Sequence, residues 1–298
     1  MSAGMSKRQL MAGYASVFAS AVLMSTNGLF IKLLPWHPVV ITCIRSFIAA
    51  LFLLLLRLIF PPPKNNGNPS MALWAAAITF SAAMYTLVIA IRLTTAANAI
   101  LLQFGAPVWA AILGWVIIRE KPHWEQWGAL VLVIAGLCIF FGNSFGGGAF
   151  LGDSLAVISG IFYGAQTVFL RMMKNGNTRD AMLLAHIISA IAGIPFLFIY
   201  PPSLSASSLL SISYMGIFQI GLASLLLAMG IKYISAVQAM LTTVAEPVLN
   251  PVWVLFLVGE RPSPAAIAGG AVIILAVVAS SLIGMRRDAP IPGRAGTS

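Results

Sequence analysis

Apolar residues run along this chain in blocks of about twenty, separated by short polar stretches, which is the length a helix needs to cross a hydrocarbon layer. Runs such as Leu51 to Ile59 and Ala271 to Ala279 have no period of two, so they do not read as the short alternating strands of a membrane barrel. Ten helical segments are expected, at 11–34, 38–60, 71–91, 95–118, 124–142, 152–173, 180–200, 208–231, 236–258 and 265–285. The fold class expected is therefore an all-α membrane protein of ten transmembrane helices, with all backbone polar groups satisfied inside the helices.

Composition narrows this further. Of 298 residues, 60% are apolar and only 8% charged, too few to coat a water-facing surface. Ten spans of about twenty residues consume most of the chain, which leaves short loops and no room for a large soluble domain. Cys43 and Cys138 both lie inside apolar runs without a second cysteine or histidine at metal-ligand spacing, so neither a disulfide framework nor a metal site is expected.

The formal charge of +10 in a soluble protein would suggest nucleic acid, but here the cations stand singly between apolar blocks and cannot track a phosphate backbone. They instead orient the chain. With the N-terminus in the cytoplasm, Lys7, Arg8, Arg57, Lys64, Arg119, Lys121, Arg171, Lys174, Arg179, Lys232, Arg286, Arg287 and Arg294 lie inside. Lys32, Arg92 and Arg261 lie outside, and Arg45 stays within a span. That asymmetry places both termini in the cytoplasm. The apolar stretch after Lys7 and Arg8 runs on to Leu34, so it is read as an uncleaved first span.

The chain repeats itself. Arg119-Glu120-Lys121-Pro122 and Gly259-Glu260-Arg261-Pro262 lie 140 residues apart, and the same offset aligns Ala96 with Ala236, Ala99 with Ala239, Leu101 with Leu241, and Pro107-Val108 with Pro247-Val248. Five spans per copy force the second copy to enter the membrane in the opposite sense, giving two inverted five-helix repeats. The expected organisation is a cytoplasmic segment 1–10, repeats at 11–148 and 149–285, and a cytoplasmic tail 286–298.

The five-plus-five plan, the two Glu-[Lys/Arg]-Pro boxes, Pro107 and Pro247, and the Pro38 to Arg45 pattern resemble the EamA family of the drug/metabolite transporter superfamily. The resemblance covers about residues 11–285 and departs at Arg119, where the second box has Gly259. It implies a multi-pass protein of the cell (inner) membrane that carries small metabolites or drugs outward. Two inverted copies can exchange conformations, so alternating access follows from the same symmetry.

Chemistry concentrates in few places. Gln238, Thr242, Glu246, Asn250 and Trp253 recur at helical spacing in the ninth span, a polar stripe that must face the bundle or a wet cavity. Glu246 is the one acidic residue deep inside an expected span, and is read as a proton carrier, a counter-charge for a substrate amine, or a structural partner. Ala106 stands at the matching position of the first repeat, so the symmetry is architectural and not chemical. Arg45 lies about 10 Å into the second span at 1.5 Å per residue. Its fork suits a carboxylate, from substrate or from Glu246, while snorkelling to the surface is the competing role.

Further inward candidates are Asn27 with Ser16 and Ser20, Tyr163 and Gln166 with Ser159, Tyr85 with Ser81, and His186; packing is the simpler role for each. Pro107 and Pro247 each leave a carbonyl unbonded and are hinge candidates. Small residues at Ala276, Ser280 and Gly284 permit close helix approach, and a homodimer contact is one use of it.

Function is then expected to be secondary transport, since no GxxxxGK[ST] loop occurs. Amino acids or similar zwitterions are the leading substrates, moved by proton exchange through Glu246 or by facilitation, with no cofactor, no metal and no nucleic acid. The alternative is export of lipophilic cations. No carboxylate dyad or other paired catalytic set occurs within the spans, which argues against an intramembrane enzyme.

Overall fold

The computed structural model of the protein describes residues 6–26, 30, 34–61, 70–94, 96–141, 150–174, 177–258 and 264–288. Among these residues the regular structure is entirely helical. Helix α1 (Lys7–Met24) opens on a capping box, in which the Ser6 hydroxyl accepts from the Gln9 N–H and the Gln9 side chain accepts from the Ser6 N–H at 2.9 Å. Helix α2 (Pro38–Ile59) begins on Pro38, whose missing N–H costs nothing in a first turn. Helix α3 (Met71–Leu93) is followed by α4 (Ala96–Gln103), α5 (Ala106–Ile118) and α6 (Trp124–Phe141).

The second half runs α7 (Phe150–Met172), α8 (Thr178–Ile199) and α9 (Ala206–Tyr214), a π-helical segment (Met215–Leu222), then α10 (Ala223–Gly230), α11 (Ala236–Thr243), α12 (Ala245–Val258) and α13 (Pro264–Asp288). Among the described residues seven helical stretches are long and apolar enough to cross a membrane, and Trp124–Phe140 and Ala236–Leu249 are shorter apolar helices. Of the ten spans expected, seven are thus found at full length among the described residues. Among the others, α1 carries Lys7 and Arg8 in its first turn, and the ninth apolar block is broken at Val244. The second box, at Gly259 to Pro262, lies outside the described residues.

The 140-residue register of the sequence returns in the helix limits. Helix α4 starts at Ala96 and ends at Gln103, and α11 starts at Ala236 and ends at Thr243, each 140 residues on. The cause is Pro107 and Pro247, which cannot donate to the carbonyls of Gln103 and Thr243. The helix stops just ahead of each proline and restarts with the proline in its first turn. At the breaks the ladder tightens to Gly105 N–H on the Leu102 carbonyl at 3.2 Å and Val244 N–H on the Leu241 carbonyl at 3.2 Å.

Helix packing repeats in the same way. Helix α3 packs on α7 as α10 packs on α1, the α4–α5 pair packs on α7 as α11–α12 packs on α1, and α3 meets α8 as the π segment meets α2. The remaining large interfaces, α2 with α8 and α6 with α13, join equivalent helices of the two copies. Gly160 and Gly164 let α7 lie against the first break, since a Cβ at either would sit 2.9 Å from the carbonyl oxygen of Gln103 or Ala106.

Small polar groups tie helices together. Ser20 donates to the Ala223 carbonyl at 2.8 Å, Ser159 to the Ala83 carbonyl at 2.8 Å, and buried His186 pairs with Ser224 at 3.1 Å. The Ala276, Ser280 and Gly284 face of α13 is buried within the chain, with Gly284 against Gln238 and Tyr14. That face is occupied intramolecularly. Large apolar side chains such as Val116, Phe198 and Leu275 instead cover the outside.

Candidate functional site

Seven structural segments converge on one small cavity of about 70 Å³. Helix α1 contributes Met24, α2 Thr42 and Arg45, α3 Met84, α4 Gln103, α7 Tyr163, the π segment Gln219 and α12 Glu246. Three of the polar groups are carried there by a local feature of the helix. Gln103 is the last residue of α4, Glu246 falls in the first turn of α12, and Gln219 sits on the widened π turns. The two Pro-induced breaks therefore place one polar side chain from each repeat at the cavity.

Arg45 is buried, and its Nη2 also lies 3.5 Å from Met84 Sδ. The guanidinium of Arg45 and the carboxylate of Glu246 interact electrostatically, and Tyr163 borders the same carboxylate. Opposite charges thus meet inside an apolar bundle, where each reduces the desolvation penalty of the other. Burial of Arg45 at the cavity excludes the snorkelling role considered from the sequence. A carboxylate-bearing solute with an amine would find one partner for each of its charges here.

The volume matters. Ligand pockets commonly span about 300–1,000 Å³, so a 70 Å³ space accommodates a few waters and no metabolite.

The other expected site residues separate into two groups. Tyr85 ties α3 to α8 by donating to the Ser189 carbonyl at 2.6 Å, and does not line the cavity. Trp253 donates from Nε1 to the Ser25 hydroxyl at 2.7 Å, which links α12 to the end of α1. Gln238 is spent on helix α11's own capping box with Ser235, and Thr242 donates back to the Gln238 carbonyl at 2.8 Å. Gln166 is fully buried, accepting from Thr167 at 3.3 Å, and does not line the cavity. Asn27 and the Asn250 side chain lie outside what is described. Pro107 and Pro247 stand at the helix breaks.

Three polar residues of the cavity were not named as site candidates from the sequence: Thr42, Gln103 and Gln219. Gln103 had a usable signal, because it is four residues before Pro107 and donates from Nε2 to Ser159, another residue of the polar stripes, at 3.0 Å. Gln219 had none beyond being a single polar residue in an apolar block.

On the side of the expected cytoplasmic loops, Arg171 of α7 donates to Glu120 at 2.9 Å and to the carbonyls of Ile231 and Lys232 at 3.1 and 2.9 Å. Glu120 belongs to the first box, and Arg119 before it ends α5 with φ of 56°. A left-handed position of this kind is one that glycine enters freely, and the sequence of the second box carries Gly259 at the matching place.

Comparison with known proteins agrees with this architecture. A family model described as the EamA-like transporter family matches the chain twice, over residues 11–142 and 150–282. The uncharacterized transporter YwfM of Bacillus subtilis is 28% identical over 181 residues, which cover 59% of this chain and 61% of that protein, less than two thirds of its length. An uncharacterized transporter of Archaeoglobus fulgidus is 24% identical over 275 residues, 89% of this chain and 95% of that one. A crystal structure at 18% identity shares the fold with a TM-score of 0.77, covering 96% of this chain and 100% of that one. With both halves of the chain matched and its apolar helices long enough to span a bilayer, the protein is a multi-pass membrane protein that belongs to the EamA-like transporter family.

Proposed function

We propose that the protein is a secondary transporter that exports small zwitterionic metabolites, amino acids foremost, across the cell (inner) membrane by alternating access. Ten spans form two inverted repeats, 11–148 and 149–285, with both termini in the cytoplasm. One observation carries the reading: Arg45 of the first repeat and Glu246 of the second meet at one small cavity between the copies. Arg45 receives the carboxylate of the solute bidentately, Glu246 receives its amine, and Tyr163 and Gln219 supply neutral hydrogen-bonding groups.

The two copies rock about the breaks ahead of Pro107 and Pro247, so that the cavity widens toward one side while the Glu120–Arg171 tie opens or closes the other. A proton on Glu246 competes with the amine, so loading one releases the other, which couples export to proton entry. Counterflow in proteoliposomes tests the substrate class. Preloaded zwitterionic amino acids are expected to drive uptake of labelled ones, and the corresponding carboxylate-free amines are not. Equal exchange of the amines would favour the cation-exporter alternative and remove the role given to Arg45.

A further inference from the structure

Away from the central cavity, a cleft of about 460 Å³ opens sideways between α2, α8 and α10. Its body is apolar, built from Phe52, Leu53, Leu222, Leu225 and Met229, and its end carries Arg57, Arg179 and Asp180. Phe52 precedes Arg57 by five residues, so apolar body and charged mouth are about 7.5 Å apart along α2 at 1.5 Å per residue. The charged residues stand near the last turn of α2 and in the first turn of α8, which is the level of lipid headgroups.

The charges do not balance. Arg57 Nη1 pairs with Asp180 Oδ1 at 3.2 Å, and Asp180 also accepts from Asn177. That leaves Arg179, which is close enough to Lys232 that its charge, after burial, depresses the lysine pKa below the ordinary value. Arg57 and Arg179 thus face one carboxylate at the end of an apolar cleft, with the charge of Lys232 close to Arg179.

We propose that this cleft binds an anionic phospholipid, with the phosphate held by Arg179 beside Arg57, the charge of Lys232 nearby, and an acyl chain laid along Phe52, Leu53, Leu222 and Leu225. The headgroup charge offsets the uncompensated cations, and the chain fills the apolar body. A zwitterionic lipid brings a quaternary ammonium to the same place and gains less.

The test is lipid titration of the full-length protein in detergent, read by native mass spectrometry, with phosphatidylglycerol, phosphatidylcholine and glycerol 3-phosphate as probes. Wild-type protein is expected to retain phosphatidylglycerol in preference to phosphatidylcholine, and glycerol 3-phosphate is expected not to compete at equal concentration. Arg179→Gln should weaken phosphatidylglycerol binding about fivefold and Lys232→Gln by less, and each should weaken phosphatidylcholine by a smaller factor than phosphatidylglycerol. Leu225→Trp, which fills the apolar body, should weaken both lipids. Arg57 is left intact, because its removal would also break the pair with Asp180. Equal retention of both lipids overturns the proposal, as does competition by the tail-free phosphate or an Arg179→Gln, Lys232→Gln double variant that keeps the wild-type preference. Arg179→Lys, which restores the charge, should recover most of the binding and so separates a lost site from a misfolded protein.

Discussion

Arg171 and Glu120 join the two repeats: the guanidinium Nε of α7 donates to the carboxylate beyond α5 at 2.9 Å, while its Nη1 bonds the Ile231 and Lys232 carbonyls after α10. One side chain thereby closes three helix ends on one face of the bundle. Arg171→Gln should cost about 2–4 kcal/mol, since it removes charged hydrogen bonds and leaves Glu120 partly buried without its cation. Denaturant or thermal unfolding in detergent measures this. A loss below about 0.5 kcal/mol, the range of an exposed surface pair, would contradict the clamp.

Arg119 holds φ at 56° where the other repeat has Gly259. Arg119→Gly should stabilise the protein by about 0.5–1 kcal/mol by relieving a left-handed non-glycine residue, and Arg119→Val should destabilise it by a similar amount. Equal melting temperatures for the two variants would show that the strain is negligible.

His37 caps α2 by accepting the Val39 N–H on Nδ1 at 3.4 Å, and its ring stacks on Tyr200 at 4.1 Å. Burial, and then the positive charge of Arg92, hold its pKa below the ordinary 6.5, and a proton on Nδ1 would abolish the cap. The unfolded chain binds this proton more readily, so the contribution is complete above pH 6.5 and declines as pH falls below it. Thermal unfolding from pH 7.5 to 5 should show a smaller acid loss for His37→Asn, which caps without titrating, than for wild type. Identical pH slopes would contradict the assignment.

The sequence made some of these relationships legible and hid others for physical reasons. Arg45 and Glu246 stood out because an isolated charge in an apolar run needs a partner, and both reach the cavity. The 140-residue register was readable because two prolines and two boxes mark it, and it reappears in the limits of α4 and α11. The polar stripe from Gln238 to Trp253 misled in part, because a spacing of four residues defines one face only along an unbroken helix. The turn at Val244 separates Gln238 and Thr242 from Glu246 and turns them to other partners. Gln219 was hidden for the related reason that π turns shift the face on which a residue falls, and hydropathy carries no trace of them. The regular helix α3 contains no such segment at the matching place, so the repeat could not indicate it either.

Arg45 is expected to read the solute carboxylate through its fork. Arg45→Lys keeps the charge and loses the bidentate geometry, so zwitterion exchange should fall about tenfold or more while helix content and insertion persist. Binding of labelled amino acid to purified protein, beside its carboxylate-free amine, measures the selectivity. A variant that loses both to the same degree would place Arg45 in a structural pair with Glu246.

The central claim is that Glu246 couples proton movement to solute movement. Glu246→Gln keeps the volume and removes the titrating group at the cavity that also holds Arg45. The most direct measurement compares pH-gradient-driven accumulation with equilibrium exchange of the same amino acid in the same vesicles. The account predicts that the Gln variant loses accumulation and retains exchange, because exchange need not discharge a proton. Wild-type accumulation by a correctly inserted Gln variant would contradict it.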